Sequence, residues 1–167
     1  MNTNSSNSAP CVDVQIVEVA SRGPQLETVR ELFLEYAQSL GFSLCFEGFD
    51  EELADLPGSY APPDGCLLLA TAGNAIAGCV GMCKLDAERC EMKRLYVRPQ
   101  YRGKGLGRVL AEKIIAEARK AGYRTMYLDT LPEMAAAQKL YESMGFSTCA
   151  PYTDSPTCGA RCMVLAL

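Results

Sequence analysis

The chain has 167 residues, a formal net charge of −4 and no histidine. That length suits one domain with its own core, and the acidic balance excludes a nucleic-acid-binding surface, which carries a basic footprint. No apolar run approaches the roughly 20 residues that a membrane-spanning helix needs. The Asn/Ser-rich start lacks the basic and apolar blocks of a signal peptide. Residues 1–11 therefore read as a disordered tail, 12–167 as a single domain, and the protein as cytoplasmic with no membrane partner.

Val12 to Val19 alternates apolar and polar residues and predicts a first strand. Pro24 opens a helix whose apolar face runs Leu26, Val29, Leu32, Phe33, Tyr36 and Leu40, ending at Gly41. Phe42 to Pro63 is irregular, acidic and aromatic, with a short helix expected from Asp50 to Leu56. Cys66–Thr71 and Ala75–Lys84 read as a hairpin turning at Ala72-Gly73-Asn74. A fourth strand, Cys90–Val97, leads into a glycine-rich stretch and a helix over Leu106–Lys120 that stops at Gly122. Tyr123–Asp129 is a strand, Pro132–Met144 a helix stopped by Gly145, and Phe146–Cys149 and Arg161–Leu167 are final strands. The order β-α-α-β-β-β-α-β-α-β-β describes a mixed α/β domain without repeats.

Nine cysteines raise the question of metal or disulfides. Their number is odd, no Cys-x-x-Cys pair occurs, and histidine is absent, so no zinc pattern is present. Runs such as Cys66-Leu67-Leu68-Leu69 point to small buried hydrophobes. No metal is expected.

The stretch Arg102-Gly103-Lys104-Gly105-Leu106-Gly107 is the most informative. Glycines directly before a helix let backbone N–H groups converge on an anion, and the helix start adds positive partial charge. Lys104 and Arg108 add formal charge, so a phosphate-bearing ligand fits here; a glycine-rich turn that only starts the helix is the plainer alternative. The spacing is not that of a P-loop, because no Gly-Lys-Ser or Gly-Lys-Thr occurs. Nor is it a dinucleotide loop, because Arg108 stands where the third glycine belongs.

The R-x-x-G-x-G spacing, the strand Glu91–Val97 before it and Leu140-Tyr141-Glu142-Ser143-Met144-Gly145-Phe146 after it resemble the GNAT acetyltransferases in order and spacing. The resemblance implies a mixed, mostly antiparallel sheet of about seven strands with about four helices, its strands splayed at a cofactor cleft. It also implies acetyl-coenzyme A as co-substrate. The strand end Leu95, Tyr96 and Val97 would take the pantetheine arm, the Tyr96 and Val97 backbone bonding it like an added strand and an N–H near Val97 polarising the thioester carbonyl. Arg102, Gly103, Lys104, Gly105, Leu106, Gly107 and Arg108 would hold the diphosphate.

By the same resemblance Glu91 is the general base that takes a proton from the acceptor amine, histidine being unavailable. The other reading of Glu91 is a surface pair with Lys93 or Arg94. Strict alternation puts Glu91 and Lys93 on the side of Leu95 and Val97, which a bulge would correct. Tyr141 takes the place of the family's thiol-protonating or thiol-orienting tyrosine; its alternative is packing. Met134 stands where many members carry a pantetheine-binding asparagine, so that contact is not carried over. Acceptor recognition would come from 42–63, with Glu47, Asp50, Glu51 or Asp55 facing a cationic amine, and from 151–156. The expected reaction is direct transfer to a small-molecule or peptide amine, without a covalent step through Cys90. A homodimer, common in that family, is compatible. The alternative from another class is a non-catalytic acyl-coenzyme A sensor.

Overall fold

The computed structural model describes residues 13–41, 48–153 and 159–167. The elements in chain order are β1 (Val14–Glu18), α1 (Pro24–Ser39), α2 (Phe49–Asp55), β2 (Cys66–Ala72), β3 (Ala75–Lys84), β4 (Arg89–Val97), α3 (Leu106–Lys120), β5 (Thr125–Thr130), α4 (Ala135–Ser143), β6 (Ser147–Thr148) and β7 (Arg161–Ala166). The expected order is present, and the α3 bounds agree residue for residue. The tail 1–11 lies outside the described residues.

One seven-stranded sheet is ordered β1-β2-β3-β4-β5-β7-β6. Every pairing is antiparallel except that of β4 with β5. Period-two side-chain alternation gives the sheet two apolar faces, each covered by helices. Leu106, Leu110, Ile114 and Ala118 of α3 pack with Leu68, Val80, Met92 and Met126 on one face. Leu26, Val29, Leu32 and Phe33 of α1, with Phe49 of α2 and Tyr60, pack with Leu67, Leu69, Cys79 and Tyr96 on the other.

Several ends differ from the expectation by a residue or more, and two of them have a visible cause. α4 begins at Ala135, because Met134 N–H and Gln138 Nε2 both donate to Leu131 O, at 2.9 and 2.7 Å, which closes a separate turn ahead of the helix. β5 begins at Thr125, because Tyr123 N–H still bonds Ala118 O as part of the α3 terminus, around Gly122 at φ 88°. Among the described residues no helix is long and apolar enough to cross a membrane.

The α3 packing carries a direct prediction. Ile114→Ala empties a fully buried site on the α3 face, so chemical denaturation should show a loss of about 2–5 kcal/mol. Val109→Ala, on the exposed side of the same helix, should stay within about 0.5 kcal/mol of the parent.

Candidate active site

The site exists because two neighbouring parallel strands part company. β4 and β5 pair only at Arg89↔Thr125, Cys90↔Met126 and Glu91↔Tyr127. Beyond Glu91 the rest of β4 has no partner on that side. Its course changes at a bulge: Cys79↔Tyr96 and Gly81↔Lys93 set two steps on β3 against three on β4. The extra residue is Arg94, at φ 58°, a left-handed conformation that costs a side-chain-bearing residue about 1–2 kcal/mol.

What holds Arg94 there is a buried ion pair. Its Nε and Nη2 donate to Glu52 Oε1 and Oε2 at 3.0 and 2.7 Å, and its guanidinium lies over Phe49 at 5.2 Å and Tyr36 at 5.9 Å. Tyr60 Oη adds a hydrogen bond to Glu52 Oε1 at 2.5 Å. Burial raises the Glu52 pKa, but Arg94 overrides it, and the carboxyl stays below its ordinary value. The bulge also corrects the alternation. Cys90 and Met92 before it, and Leu95 and Val97 after it, all pack on the α3 face, so Glu91 and Lys93 face the α1 side.

The parted strands line a continuous cleft. Its inner end, enclosing ≈ 660 Å³ including open space, is bordered by Glu91, Arg94, Asp129, Tyr141 and Met134. Its outer end runs past Leu95, Val97 and Arg102. Tyr36, Leu40, Leu131 and Met134 border both parts. Arg98 N–H bonds Ala77 O at 2.9 Å, so strand alternation turns the Tyr96 main chain toward β3 and the Val97 main chain toward the cleft. Tyr96, expected to offer its backbone to the pantetheine arm, thus has its main chain turned toward β3, while the residue borders the cleft. Val97 O already accepts Arg102 Nε at 2.7 Å, and the Arg102 guanidinium lies over the Tyr96 ring at 5.6 Å.

The glycine stretch meets the demands of an anion cradle. Gly103 and Gly105 have φ of 73° and 81°, which side-chain-bearing residues rarely adopt. No side chain caps α3, and its first main-chain bond is Val109 N–H to Gly105 O at 3.1 Å. The Leu106, Gly107 and Arg108 amides thus have no intrahelical partner. Arg108's side chain reaches Ser143 Oγ at 2.5 Å, so its part in an anion site falls to its amide. Lys104 forms no ion pair among the described residues. Arg98, by contrast, is tied to Glu35 at 2.6 Å.

Glu91 is mostly enclosed, its side chain 14% exposed. Burial pushes its pKa above the ordinary carboxylate value; Lys93 and a hydrogen bond from Tyr152 oppose that, and Asp129 adds to it. Lys93 Nζ stands 3.8 Å from Oε2, so the lysine pair expected as the alternative is present but loose. Tyr141 is 6% exposed and rests edge-on against Phe146 at 5.7 Å. Burial, with Tyr36 nearby, pushes its pKa well above 10, so it stays protonated.

Five of the six described cysteines are buried. Cys90 faces the α3 core, opposite to Glu91, with its thiol 3.7 Å from Thr125 O and its pKa pushed up by burial to about 12. A thiol so placed is not an acyl carrier.

Sequence reasoning missed Asp129, at the free end of β5, and the Arg94–Glu52 pair. The acids it favoured on α2, Asp50, Glu51 and Asp55, are exposed, and the inward one is Glu52. Glu47 and Phe42 lie outside the described residues. Of the C-terminal segment, Tyr152 reaches Glu91, its Oη donating to Oε1 at 2.9 Å.

The acetyltransferase (GNAT) family model matches residues 26–146, and the chain belongs to that family of acetyltransferase enzymes. An uncharacterised N-acetyltransferase of Schizosaccharomyces pombe is 43% identical over 133 residues, covering 78% of this chain and 82% of the relative. An acetyltransferase structure from Streptococcus agalactiae superposes with a TM-score of 0.77 at 22% identity, covering 92% of this chain and 98% of the other. The PaiA N-acetyltransferase of Thermoplasma acidophilum in complex with coenzyme A has a TM-score of 0.70 at 20% identity, covering 93% and 99%.

Because Glu52 neutralises a buried guanidinium, Glu52→Ala should cost about 3–5 kcal/mol in chemical denaturation. Its lowered pKa sets the pH range. The stabilisation is complete above the ordinary carboxylate pKa near 4.3 and fades as pH falls through the lower folded value, so the gap between variant and parent should narrow in acid.

Proposed function

We propose that the protein acetylates a small-molecule or peptide amine directly, with acetyl-coenzyme A as donor, Glu91 as general base and Tyr141 as the group that meets the departing sulfur. The observation that carries this reading is the cleft itself. It runs between diverging strands from Arg102, the first residue of the glycine stretch, to a desolvated carboxylate. The coenzyme A complex of a structural relative supports the choice of donor.

The cradle residues fit a diphosphate: Gly103 and Gly105 adopt left-handed turns, and the Leu106, Gly107 and Arg108 amides have no intrahelical partner among the described residues. Bound acetyl-coenzyme A supplies an activated acetyl thioester. The Val97 main chain faces the cleft, where an N–H polarises a carbonyl. An ammonium nitrogen has no lone pair to attack with, so the acceptor must first lose a proton. Glu91 takes it, and burial makes this carboxylate a stronger base than an exposed one. Tyr141, its pKa held high, releases a proton only at considerable cost; a hydrogen bond that orients and stabilises the sulfur suits it better than full proton release. A binding-only sensor has no need of a desolvated carboxylate at the cleft's inner end.

Glu91→Gln should lower kcat by about 10²–10⁴ while calorimetry shows acetyl-coenzyme A binding retained. In the parent, activity should fall on the acid side with a midpoint above the ordinary carboxylate value near 4.3, and this limb should vanish in the variant. The assay is thiol release from acetyl-coenzyme A over a panel of amines. Failure of every amine in the panel to give thiol release would contradict the proposed transfer and favour the sensor.

A further inference from the structure

We infer that Tyr152 is the residue that positions Glu91: its hydroxyl holds Oε1 and leaves Oε2 as the oxygen that receives the acceptor's proton. This rests on the reading of Glu91 as base. Tyr152 lies on the connection between β6 and β7, 61 residues beyond Glu91, and its Oη donates to Glu91 Oε1 at 2.9 Å.

The placement is fixed by packing as well as by that bond. The Tyr152 ring lies against Tyr127 with centroids 4.7 Å apart, tilted by 38°. Tyr127 is the β5 residue paired with Glu91 at the last rung before the strands part, and the Arg89 guanidinium lies 5.9 Å from its ring centre. A rigid aromatic stack therefore delivers a hydroxyl to the carboxylate at the mouth of the divergence. A two-oxygen base with one oxygen engaged presents its second lone-pair set in one direction, which proton transfer requires.

The surroundings leave Tyr152 as the group best suited to this. Lys93, on β4 itself, faces Oε2 loosely at 3.8 Å, and Arg94 is committed to Glu52. Cys83, the β3 residue opposite Glu91, is a buried thiol whose pKa is pushed up to about 11. From β7, burial and the neighbouring Asp129 push the Cys162 thiol up to about 12, so it stays protonated beside the carboxylates. From β5, Asp129 presents a second carboxylate, whose Oδ1 is buried without a hydrogen-bond partner. The Tyr152 hydroxyl interacts with both carboxylates, and both push its pKa upward. A phenol has one proton to give, and the geometry gives it to Glu91.

The consequence is readable without knowing the acceptor. The Tyr152 bond favours ionised Glu91, whereas the Asp129 charge disfavours it. In the full chain labelled with ¹³C at glutamate carboxyls, the Glu91 resonance is the one absent from Glu91→Gln. Its titration midpoint should rise in Tyr152→Phe by roughly half a pH unit or more. In Asp129→Asn, which leaves Tyr152 in place, the midpoint should fall. Acetyl-coenzyme A binding by calorimetry, unchanged in both variants, establishes that the cleft is intact. A Glu91 midpoint indifferent to Tyr152→Phe would overturn the proposal, because phenylalanine keeps the ring against Tyr127 and removes only the hydroxyl that bonds Oε1. Failure of the underlying reading appears separately, as full acetyl transfer by Glu91→Gln.

Discussion

The separation of β4 from β5 governs everything else in this molecule. Two parallel strands that pair for three rungs and then part leave main-chain groups of β4 without a ladder partner, a costly arrangement inside a sheet. The bulge at Arg94 brings it about, and the Glu52 carboxylate, reaching across from α2, holds the bulge in its left-handed conformation. Because α2 presents that carboxylate and Tyr60 bonds it, residues of α2 and Tyr60 have a structural task. Arg102, which opens the glycine stretch before α3, stands at one end of the opening and the buried Glu91 at the other.

The electrostatics divide the acidic residues by task. Glu35 and Glu52 are each bound by an arginine and held below ordinary carboxylate values, so they remain ionised and inert. Glu91 is desolvated, only loosely paired with Lys93 and raised. A protein without histidine thus sets one carboxylate apart from its arginine-bound ones through burial and pairing alone. Burial likewise raises the Cys79 and Cys90 thiols, which keeps them protonated.

Local features were legible in the sequence, and long-range ones were not. The α3 helix, the glycine turns before it and the strand carrying Glu91 are written in contiguous spacing. Even the bulge was foreshadowed, since plain alternation set Glu91 and Lys93 beside apolar Leu95 and Val97. The Arg94–Glu52 pair joins residues 42 apart, and the Tyr152–Glu91 bond joins residues 61 apart. Nothing in residue spacing pairs one acid of α2 with one arginine of β4 rather than its neighbours. Tyr96 shows the opposite error: its position in the strand was read correctly, but the hydrogen-bond parity set by Arg98 and Ala77 turns its backbone away from the cleft.

The central claim is that the opening between β4 and β5 receives acetyl-coenzyme A, with its diphosphate on the start of α3. Amide ¹⁵N–¹H spectra recorded during an acetyl-coenzyme A titration test it most directly. The account predicts that the amides of Val97 and of Gly103, Gly105, Leu106, Gly107 and Arg108 shift, while Gly73 in the distant β2–β3 turn does not. A titration that leaves the glycine cradle unmoved, or that moves the β2–β3 turn instead, would contradict it.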